Sequence, residues 1–324
     1  MMSDSTVICA AAKYAYNDKS RGVSYEFDTV FKSLKSVYAD AAFIDVYRKN
    51  GCQALIDHID SLPEKPRPRL LYIPYRGILS PTMLNKIRKK AEVGIFHLDD
   101  TWRQDIVSAY DTYCDWFTTS DPKHHWRYTG KLAKKVKFLP FGFDSTATKA
   151  ANRPFSERDI NISFVGARND YRSFVISTLA KKGIEVACYG SGWPNGSVTS
   201  SEFNDIIGRS KISLNLSNSV HWDLRYLTQN PLSILRNFKS GKTIEQFKAR
   251  HLEIAALGAC QLSFYCLGIE NILKIGDEII IFPNIDEIPY MLKSLSDEEA
   301  ASIAARAEKA VVDYSYQKQF KSLF

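Results

Sequence analysis

Short apolar runs rich in β-branched and aromatic residues recur along the chain, and segments with helical spacing separate them. In the first half these runs are Val7–Ala11, Ala42–Val46, Leu70–Pro74, Val93–Leu98, Trp116–Thr119 and Val136–Phe141. The segment Tyr25–Val37 between two of them places its apolar residues on one helical stripe. Strands that alternate with helices build a parallel sheet covered by helices on both faces.

This alternation pauses at the polar stretch Asp144–Arg158 and then starts again. The later strand-like runs are Ile160–Val165, Glu185–Tyr189, Ile212–Leu216, Ala259–Phe264 and Glu278–Phe282. A length of 324 residues suits two domains better than one core. We therefore predict an α/β protein with two Rossmann-like, doubly wound domains that face a cleft. The predicted domains are residues 1–147 and 148–305, and a C-terminal helix in 306–324 is expected to pack back toward the first domain.

Composition limits the class of protein and its partners. Hydrophobic residues make up 45% and charged residues 24%, which excludes disordered and fibrous classes. The formal charge of +7 favours phosphorylated ligands, polyanions or an anionic membrane surface without choosing among them. Six cysteines without a CxxC pair fit a reducing compartment. Because no signal-peptide pattern and no long apolar run is visible, we expect a cytoplasmic protein, with peripheral contact at the inner membrane face as a further option.

A glycine turn in the second half has the sequence of an anion site. The strand Ile160–Val165 ends at Gly166, and a helical pattern follows from Ser173. First-turn amides of a helix lack intrahelical partners and attract negative charge, and Gly166 lets a phosphate approach the backbone. Arg168 and Arg172 stand on or just after this turn, where a guanidinium can grip a diphosphate with two hydrogen bonds. Many turns of this kind bind nothing, so the motif alone leaves that alternative open.

Two further strand ends carry residues with two possible roles. Gly190 and Trp193 follow the run Glu185–Tyr189, and Trp193 either stacks on a nucleotide base or anchors its own loop. Asn215 interrupts the buried run Ile212–Leu216. A buried amide needs partners, so Asn215 either fixes a neighbouring loop or faces a ligand.

The most specific feature is the run RHLEIAALGACQLSFY at residues 250–265. It predicts a short amphipathic helix that ends at Gly258, followed by a buried strand. This run resembles the R-x-F-E-x-x-A-C-G signature of CgeB-like glycosyltransferases, which belong with glycosyltransferase family 1 and have the GT-B fold. The pieces ISFVGAR, VACYGSGW and KISLNLS also occur in the family's order. The resemblance covers about residues 161–316, and the upstream runs HLDDTW and FLPFGFD resemble the family more weakly.

The resemblance implies an enzyme that transfers a sugar, of the hexosyltransferase type (EC 2.4), with a role in polysaccharide biosynthesis. The donor would be a UDP- or GDP-linked sugar held by the second domain, with no cofactor and no metal. Glu253 matches the residue that binds the ribose hydroxyls. Glu245 matches the first Glu of the E-x7-E spacing of retaining enzymes, in which it approaches the donor sugar. Arg250 and Lys242 would contact the diphosphate.

One stretch departs from the family pattern. Residues 217–243 look inserted, and they include His221, Trp222, Asp223, Arg225, Arg236 and Lys239. The insertion forms a lid, an acceptor surface or an extra helix, and the sequence does not rank these alternatives.

The first domain is expected to bind the acceptor, a glycan, a lipid-linked sugar or another hydroxyl compound. Asp99 and Asp100 follow the run Val93–Leu98, at the strand end where ligands bind in open α/β sheets. Either carboxylate would activate the acceptor hydroxyl in an inverting enzyme or position the sugar in a retaining one. Alternatively, Asp100 caps the next helix.

Two other classes of function remain alternatives. The same two-domain plan serves epimerases and phosphorylases, because a fold does not fix a reaction. The positive charge also allows a non-catalytic protein that binds a sugar or a nucleic acid, although we expect a nucleic acid less than a nucleotide sugar.

Overall fold

The structure is a computed structural model that describes residues 5–75, 78–98, 100–101, 109–216, 223–229, 231–232 and 245–324. Residue contacts divide the chain into two compact units. The first unit is Met1–Asp144 with Ser315–Phe324, and the second is Ser145–Tyr314. The sequence prediction puts the first boundary after residue 147 and starts the terminal segment at 306. The contacts leave the helix that ends at Ala310 in the second unit and assign only the last ten residues to the first.

The first unit contains a parallel sheet of six strands. The strands are β1 Val7–Ala11, β2 Ala42–Asp45, β3 Arg69–Tyr72, β4 Glu92–Ile95, β5 Trp116–Thr119 and β6 Val136–Phe138. Their order is β2-β1-β3-β4-β5-β6. The helices between them are α1 Lys32–Val37, which continues a π-helical stretch Glu26–Phe31, α2 Gly51–Ser61, α3 Pro81–Arg88 and α4 Gly130–Ala133.

The second unit contains a parallel sheet of five strands. The strands are β7 Ile160–Val165, β8 Ala187–Tyr189, β9 Ser210–Asn215, β10 Cys260–Ser263 and β11 Ile280–Ile281, in the order β11-β10-β9-β7-β8. The helices are α5 Ser145–Ala151, α6 Asp170–Lys181, α7 Ser200–Gly208, α8 Leu224–Gln229, α9 Ala249–Ala256, α10 Ile288–Ser294 and α11 Asp297–Ala310. Ser296 caps α11 and Glu299 completes a capping box.

Apolar residues on both faces of each sheet explain why the strands are continuous apolar runs. Along β1, Ile8 and Ala10 belong to one core cluster, whereas Val7 and Cys9 belong to the cluster on the opposite face. In the second unit Phe164 and Val165 likewise belong to different clusters. Parallel strands covered on both faces lose the alternation of exposed and buried residues.

Each sheet has its first strand between its second and third strands. The chain winding therefore reverses between β1 and β3 in one unit and between β7 and β9 in the other. This order confirms the prediction of two doubly wound, Rossmann-like sheets. Within the described residues, none of the helices combines the length and the apolar character that crossing a bilayer requires.

The last helix, α12 Tyr316–Leu323, completes the first unit. Ser315 caps its start, and the rings of Tyr316 and Phe320 are buried and stack with centroids 5.3 Å apart. The Tyr316 amide donates to the Phe143 carbonyl at 3.0 Å. The helix is thus anchored by packing and by a backbone hydrogen bond.

The polar stretch Asp144–Arg158 is mostly helical and ends in a buried arginine. It contains α5 and a short 3-10 turn, Phe155–Glu157. The Arg158 guanidinium donates to the carbonyls of Ser210 and Leu257, each at 2.8 Å, and to Ile207 at 3.3 Å. Burial lowers the pKa of Arg158 to about 10, so it keeps its charge at neutral pH. It thereby satisfies carbonyls at the carboxyl ends of α7 and α9, where a cation also favours the helix dipole.

We predict that Arg158→Met lowers the free energy of unfolding by about 3 kcal/mol or more, because it leaves buried carbonyls without donors. Urea unfolding measures the change. Arg153→Met is the matched control, since Arg153 forms an exposed ion pair with Asp205 and should cost under about 1 kcal/mol. Equal losses in the two variants would contradict this role for Arg158.

Candidate functional site

The candidate site lies at the carboxyl edge of the second sheet, where the winding reverses between β7 and β9. Gly166 directly follows β7, and Asn215 is the last residue of β9. In open α/β sheets ligands bind outside the strand ends at such a reversal. The residues that the sequence marked as donor-binding therefore fall on neighbouring strand ends of one sheet.

The turn after β7 leads into the first turn of α6. Asn169 caps the helix, and its side chain accepts from the Arg172 amide at 2.8 Å. A Cβ on Gly166 would come within 3.0 Å of the Phe164 ring. The turn thus combines a compact backbone with the amino end of a twelve-residue helix, which is the arrangement that attracts anions.

The loop after β8 is joined to this turn by close contacts. Gly190 has φ +123°, and a Cβ there would lie 2.4 Å from the Gly166 carbonyl oxygen. The Trp193 indole N–H donates to the same carbonyl at 2.9 Å. Of the two roles predicted for Trp193, these contacts support anchoring of its own loop, because the indole N–H is already used.

Arg168 links the same two loops. Its amide donates to the Ser191 carbonyl at 2.8 Å, and its Nε donates to the Ser173 hydroxyl at 2.8 Å. The guanidinium lies 5.5 Å from the centroid of the Trp193 ring. Arg168 therefore extends along the surface of the turn with an exposed charge.

Arg172 bridges the ends of β7 and β9. Its Nη1 donates to the Ala167 carbonyl at 2.7 Å and its Nε to the Leu216 carbonyl at 2.8 Å. Burial and the nearby charge of Arg250 lower the pKa of Arg172 to about 10, and Glu245 opposes this shift. Two N–H donors of Arg172 therefore already bind backbone carbonyls. The predicted pair of hydrogen bonds to a diphosphate would have to come from the remaining N–H groups of the guanidinium.

Helix α9 brings two further charged residues to this edge. Arg250 Nη1 lies 3.1 Å from Glu253 Oε2, and the guanidinium stacks 3.7 Å from the centroid of the Phe203 ring on α7. The Glu253 side chain is only 13% exposed, and its burial raises its pKa while Arg250 opposes the shift. Gly258 has φ +67° just past the helix end, as predicted for its C′ residue.

Glu245 precedes α9 and lies close to the same group of residues. Burial, Asp223 and then Glu245 raise the pKa of Tyr171, the neighbour of Arg172. The sequence placed Lys242 on the diphosphate, but Lys242 lies outside the described residues, as do His221, Trp222, Arg236 and Lys239. The inserted stretch is described only at 223–229 and 231–232, where α8 forms.

Asn215 lies in a buried row of polar side chains that also contains Ser163, Ser213 and Gln261. It is 1% exposed, and neither its Oδ1 nor its Nδ2 has a hydrogen-bond partner among the described residues. Ser163 and Ser213 lie nearby on the same sheet face, with hydroxyls 3.4 Å apart, and Gln261 pairs with Ser213 across the strands. A buried amide without partners is costly, and within the described ranges Asn215 therefore has hydrogen-bonding capacity to spare beside the site.

His251 fixes the start of α9. Its Nδ1 accepts from the Lys248 amide at 3.1 Å, so a neutral ring carries its proton on Nε2, which lies 3.3 Å from the Ser263 hydroxyl. That hydroxyl donates to the Phe264 carbonyl, and the His251 ring stacks on Phe247. Burial lowers the pKa of His251 to about 4. His251 thus holds the helix that carries Arg250 and Glu253 against β10.

The predicted acceptor-side carboxylates are in the first unit. Asp99 lies outside the described residues. Asp100 is 1% exposed, and its carboxylate accepts from the hydroxyls of Thr119, Ser120 and Tyr128. Such a buried and saturated carboxylate suits a positioning role better than an open base. The alternative in which Asp100 caps the next helix is not described, because residues 102–108 are outside the described ranges.

Three residues of this candidate site were not predicted from the sequence. Phe203 supports Arg250 from a separate helix, Ser263 binds His251 from β10, and Gln261 belongs to the polar row. None has a local signal, although a Gln inside a buried strand marks a polar row once the fold is known. Among the described residues no group of three or more His, Cys, Asp or Glu converges as a metal site.

We predict that His251 makes stability fall as the pH drops from about 7 to about 5. Its pKa is about 4 when folded against an ordinary 6.5, so only the unfolded chain takes up a proton in that window. The loss should be about 2 kcal/mol. His251→Asn should remove most of this slope in urea unfolding, whereas His125→Asn at an exposed site should keep it. Parallel pH profiles for His251→Asn and the wild type would disprove the assignment.

Residues 168–324 match the family model described as glycosyl transferase-like, which is just under half of the chain. No curated protein matches the chain in sequence. The matched segment includes Arg168, Arg172, Arg250 and Glu253. It does not identify the CgeB-like subfamily.

Solved structures match nearly the whole chain. A sucrose-phosphate synthase from Thermosynechococcus elongatus is 10% identical with a TM-score of 0.62, over 99% of this chain and 97% of that one. The Anabaena protein HepE in complex with UDP and glucose is 9% identical with a TM-score of 0.60, over 98% and 99%. A glycosyltransferase from Rickettsia africae is 11% identical with a TM-score of 0.59, over 99% and 97%. The chain therefore has the GT-B fold, and its residues 168–324 carry the sequence pattern of the glycosyl transferase-like family.

Proposed function

We propose that the protein is a glycosyltransferase that moves a sugar from a UDP- or GDP-linked donor to a hydroxyl acceptor. The observation that carries this proposal is the convergence of Arg172, Arg250 and Glu253 beside the Gly166 turn at the winding reversal. This edge offers backbone amides, two cations and one carboxylate within a single unit. Those groups match the chemistry of a nucleoside diphosphate.

The positive groups suit the leaving diphosphate. As the bond from the anomeric carbon to the diphosphate oxygen breaks, negative charge grows on that oxygen. The amides of α6 and the guanidinium of Arg250 would stabilise this charge, and Arg172 would add a fixed positive field. The transferred sugar forms its new bond to the acceptor oxygen, and the acceptor proton passes to the departing diphosphate.

Glu253 suits the ribose of the donor. A carboxylate accepts two hydrogen bonds from a vicinal diol, and charge-assisted bonds are strong where water is excluded. In the structure Glu253 is paired with Arg250. We infer that the ribose hydroxyls share Glu253 with Arg250, which would then extend toward the diphosphate.

We propose that transfer is hexosyl, metal-independent and retains the anomeric configuration, with Glu245 close to the donor sugar. The support is the spacing of Glu245 and Glu253 and the nearness of Glu245 to Arg172. The cations would supply the charge compensation that a divalent metal supplies elsewhere. Gly190 and Trp193 would shape the loop beside the nucleotide, and Asn215, whose amide has no partner among the described residues, would bind the ligand.

We propose a glycan, a lipid-linked sugar or another hydroxyl compound as acceptor, with Asp99 and Asp100 on the acceptor side. Peripheral contact with an anionic membrane at its inner, cytoplasmic face belongs to the same proposal. The likeness to HepE, whose structure contains UDP and glucose, supports a nucleotide-sugar donor through the shared fold.

We predict that Glu253→Gln weakens binding of UDP or GDP roughly tenfold or more, because a neutral amide is a poorer acceptor for the ribose diol. Isothermal titration measures the affinity. Glu298→Gln, an exposed change at the start of α11, is the control and should leave it unchanged. Unaltered affinity in Glu253→Gln would refute the ribose role, and no binding of either nucleotide at millimolar levels would refute the donor proposal.

We predict that hydrolysis of UDP-glucose or GDP-mannose, assayed without acceptor, continues at the same rate in excess EDTA. Released sugar and nucleoside diphosphate would be quantified by chromatography, and the first anomer formed would be read by NMR. Loss of turnover with EDTA would contradict metal independence, and an inverted anomer would contradict retention. Formation of an epimeric donor instead of free sugar would favour the epimerase alternative.

A further inference from the structure

The net positive charge of this protein comes from its first unit, in which two stretches carry Lys and Arg without Asp or Glu. Residues 65–91 contain eight Lys and Arg, residues 122–143 contain six, and neither stretch contains an Asp or Glu. The first unit carries 24 Lys and Arg against 17 Asp and Glu, and the second carries 19 of each. The excess charge is therefore a local feature of the first unit.

The stretch 122–143 forms one edge of the first sheet. It contains the 3-10 turn His124–Trp126, helix α4 and strand β6, and β6 is the last strand of the sheet. Trp126 is 66% exposed and Phe138 is 37% exposed. The His124 ring stacks on Phe138 with centroids 5.7 Å apart and planes 6° apart, and the His125 ring lies 5.5 Å from Trp126. Aromatic rings thus line this edge on the outside.

Some of the cations on this edge are used within the fold. Arg127 pairs with the nearly buried Asp121 at 2.8 Å, Lys135 donates to the Cys114 carbonyl at 2.9 Å, and Lys137 lies 4.5 Å from the Trp116 ring centroid. Lys131 and Lys134 are different. Both are exposed, and neither has an acidic partner among the described residues.

We propose that the basic aromatic surface formed by Trp126, Lys131, Lys134 and Phe138 binds the surface of a bilayer that contains anionic lipids. Tryptophan favours the headgroup level of a membrane because its ring is apolar and its N–H is polar. Lysine places its apolar stem along the lipid and its charge at the headgroups, where an anionic leaflet attracts it. Exposed aromatic rings and exposed lysines on one edge match both parts of such a surface.

A lipid surface fits this edge better than a nucleic acid does. Single-stranded nucleic acids bind in positively charged grooves along which successive bases stack on aromatic rings. Here the Phe138 ring is already covered on one face by His124, which leaves Trp126 as the prominent exposed ring. One exposed indole and two exposed lysines in the same edge segment suit shallow insertion between headgroups.

This surface deepens the peripheral membrane contact proposed above, and its test does not depend on sugar transfer. Vesicle flotation of the full chain would compare phosphatidylcholine vesicles with vesicles that also contain about 30% phosphatidylglycerol. We expect binding only to the anionic vesicles, with loss at about 0.5 M salt, where charges are screened. Failure here leaves nucleotide binding unaffected, so the two proposals fail separately.

The variant Lys131→Gln with Lys134→Gln should lower partitioning about 25-fold, or about fivefold for each lysine. Trp126→Ser should lower it about fivefold by removing inserted apolar area. The matched control, Lys293→Gln with Lys309→Gln, removes the same charge from exposed sites of the second unit and should change partitioning less than about twofold. All variants should unfold at the wild-type temperature.

Three results would overturn the proposal. The first is equal binding of the wild type to neutral and anionic vesicles. The second is an equal loss in the control pair, which would make net charge rather than this surface responsible. The third is tighter binding of polyuridylate than of anionic vesicles, lost in the Lys131 and Lys134 variant, which would assign the surface to nucleic acid.

Discussion

The half-buried guanidinium of Arg172 sets the geometry on which the candidate site depends. It joins the Ala167 carbonyl after β7 to the Leu216 carbonyl after β9, and so closes the edge of the sheet where the winding reverses. Burying a guanidinium is expensive, and here hydrogen bonds to two carbonyls offset the cost. The result is a positive charge held in one place before any ligand arrives, which limits the reorganisation that binding would require.

Helix α9 is held at both ends by hydrogen bonds of buried polar side chains. At its start His251 connects the Lys248 amide to Ser263 on β10, and at its end Arg158 binds the Leu257 carbonyl. Between these anchors the helix presents Arg250 and Glu253. A shift at either anchor would move the two site residues together. The short length of α9 makes such anchoring necessary, because isolated helices of this size are unstable in water.

The fold was predictable from the sequence because its signals are local. Alternating apolar runs and helical stripes marked the strands, and Gly258 marked the end of α9. The residues predicted to bind a donor were expected at one edge for the same reason, since the carboxyl ends of parallel strands meet there. The contacts that define the site were not predictable. Arg250 meets Phe203, and Trp193 meets Gly166, only after the sheet has formed. The burial of Asp100 among hydroxyls likewise depends on residues from a later strand and loop.

The uneven charge along the chain has a consequence for how the protein meets other molecules. A second unit with equal numbers of acids and bases exerts little long-range force, whereas the first unit attracts anionic surfaces from a distance of about one Debye length. Because the net charge lies in the first unit, an anionic surface exerts a torque on the molecule and turns it during diffusion, before the two touch. Orientation is thus biased in the encounter, whereas the candidate site of the neutral unit depends on its local charges, Arg172 and Arg250, and not on net charge.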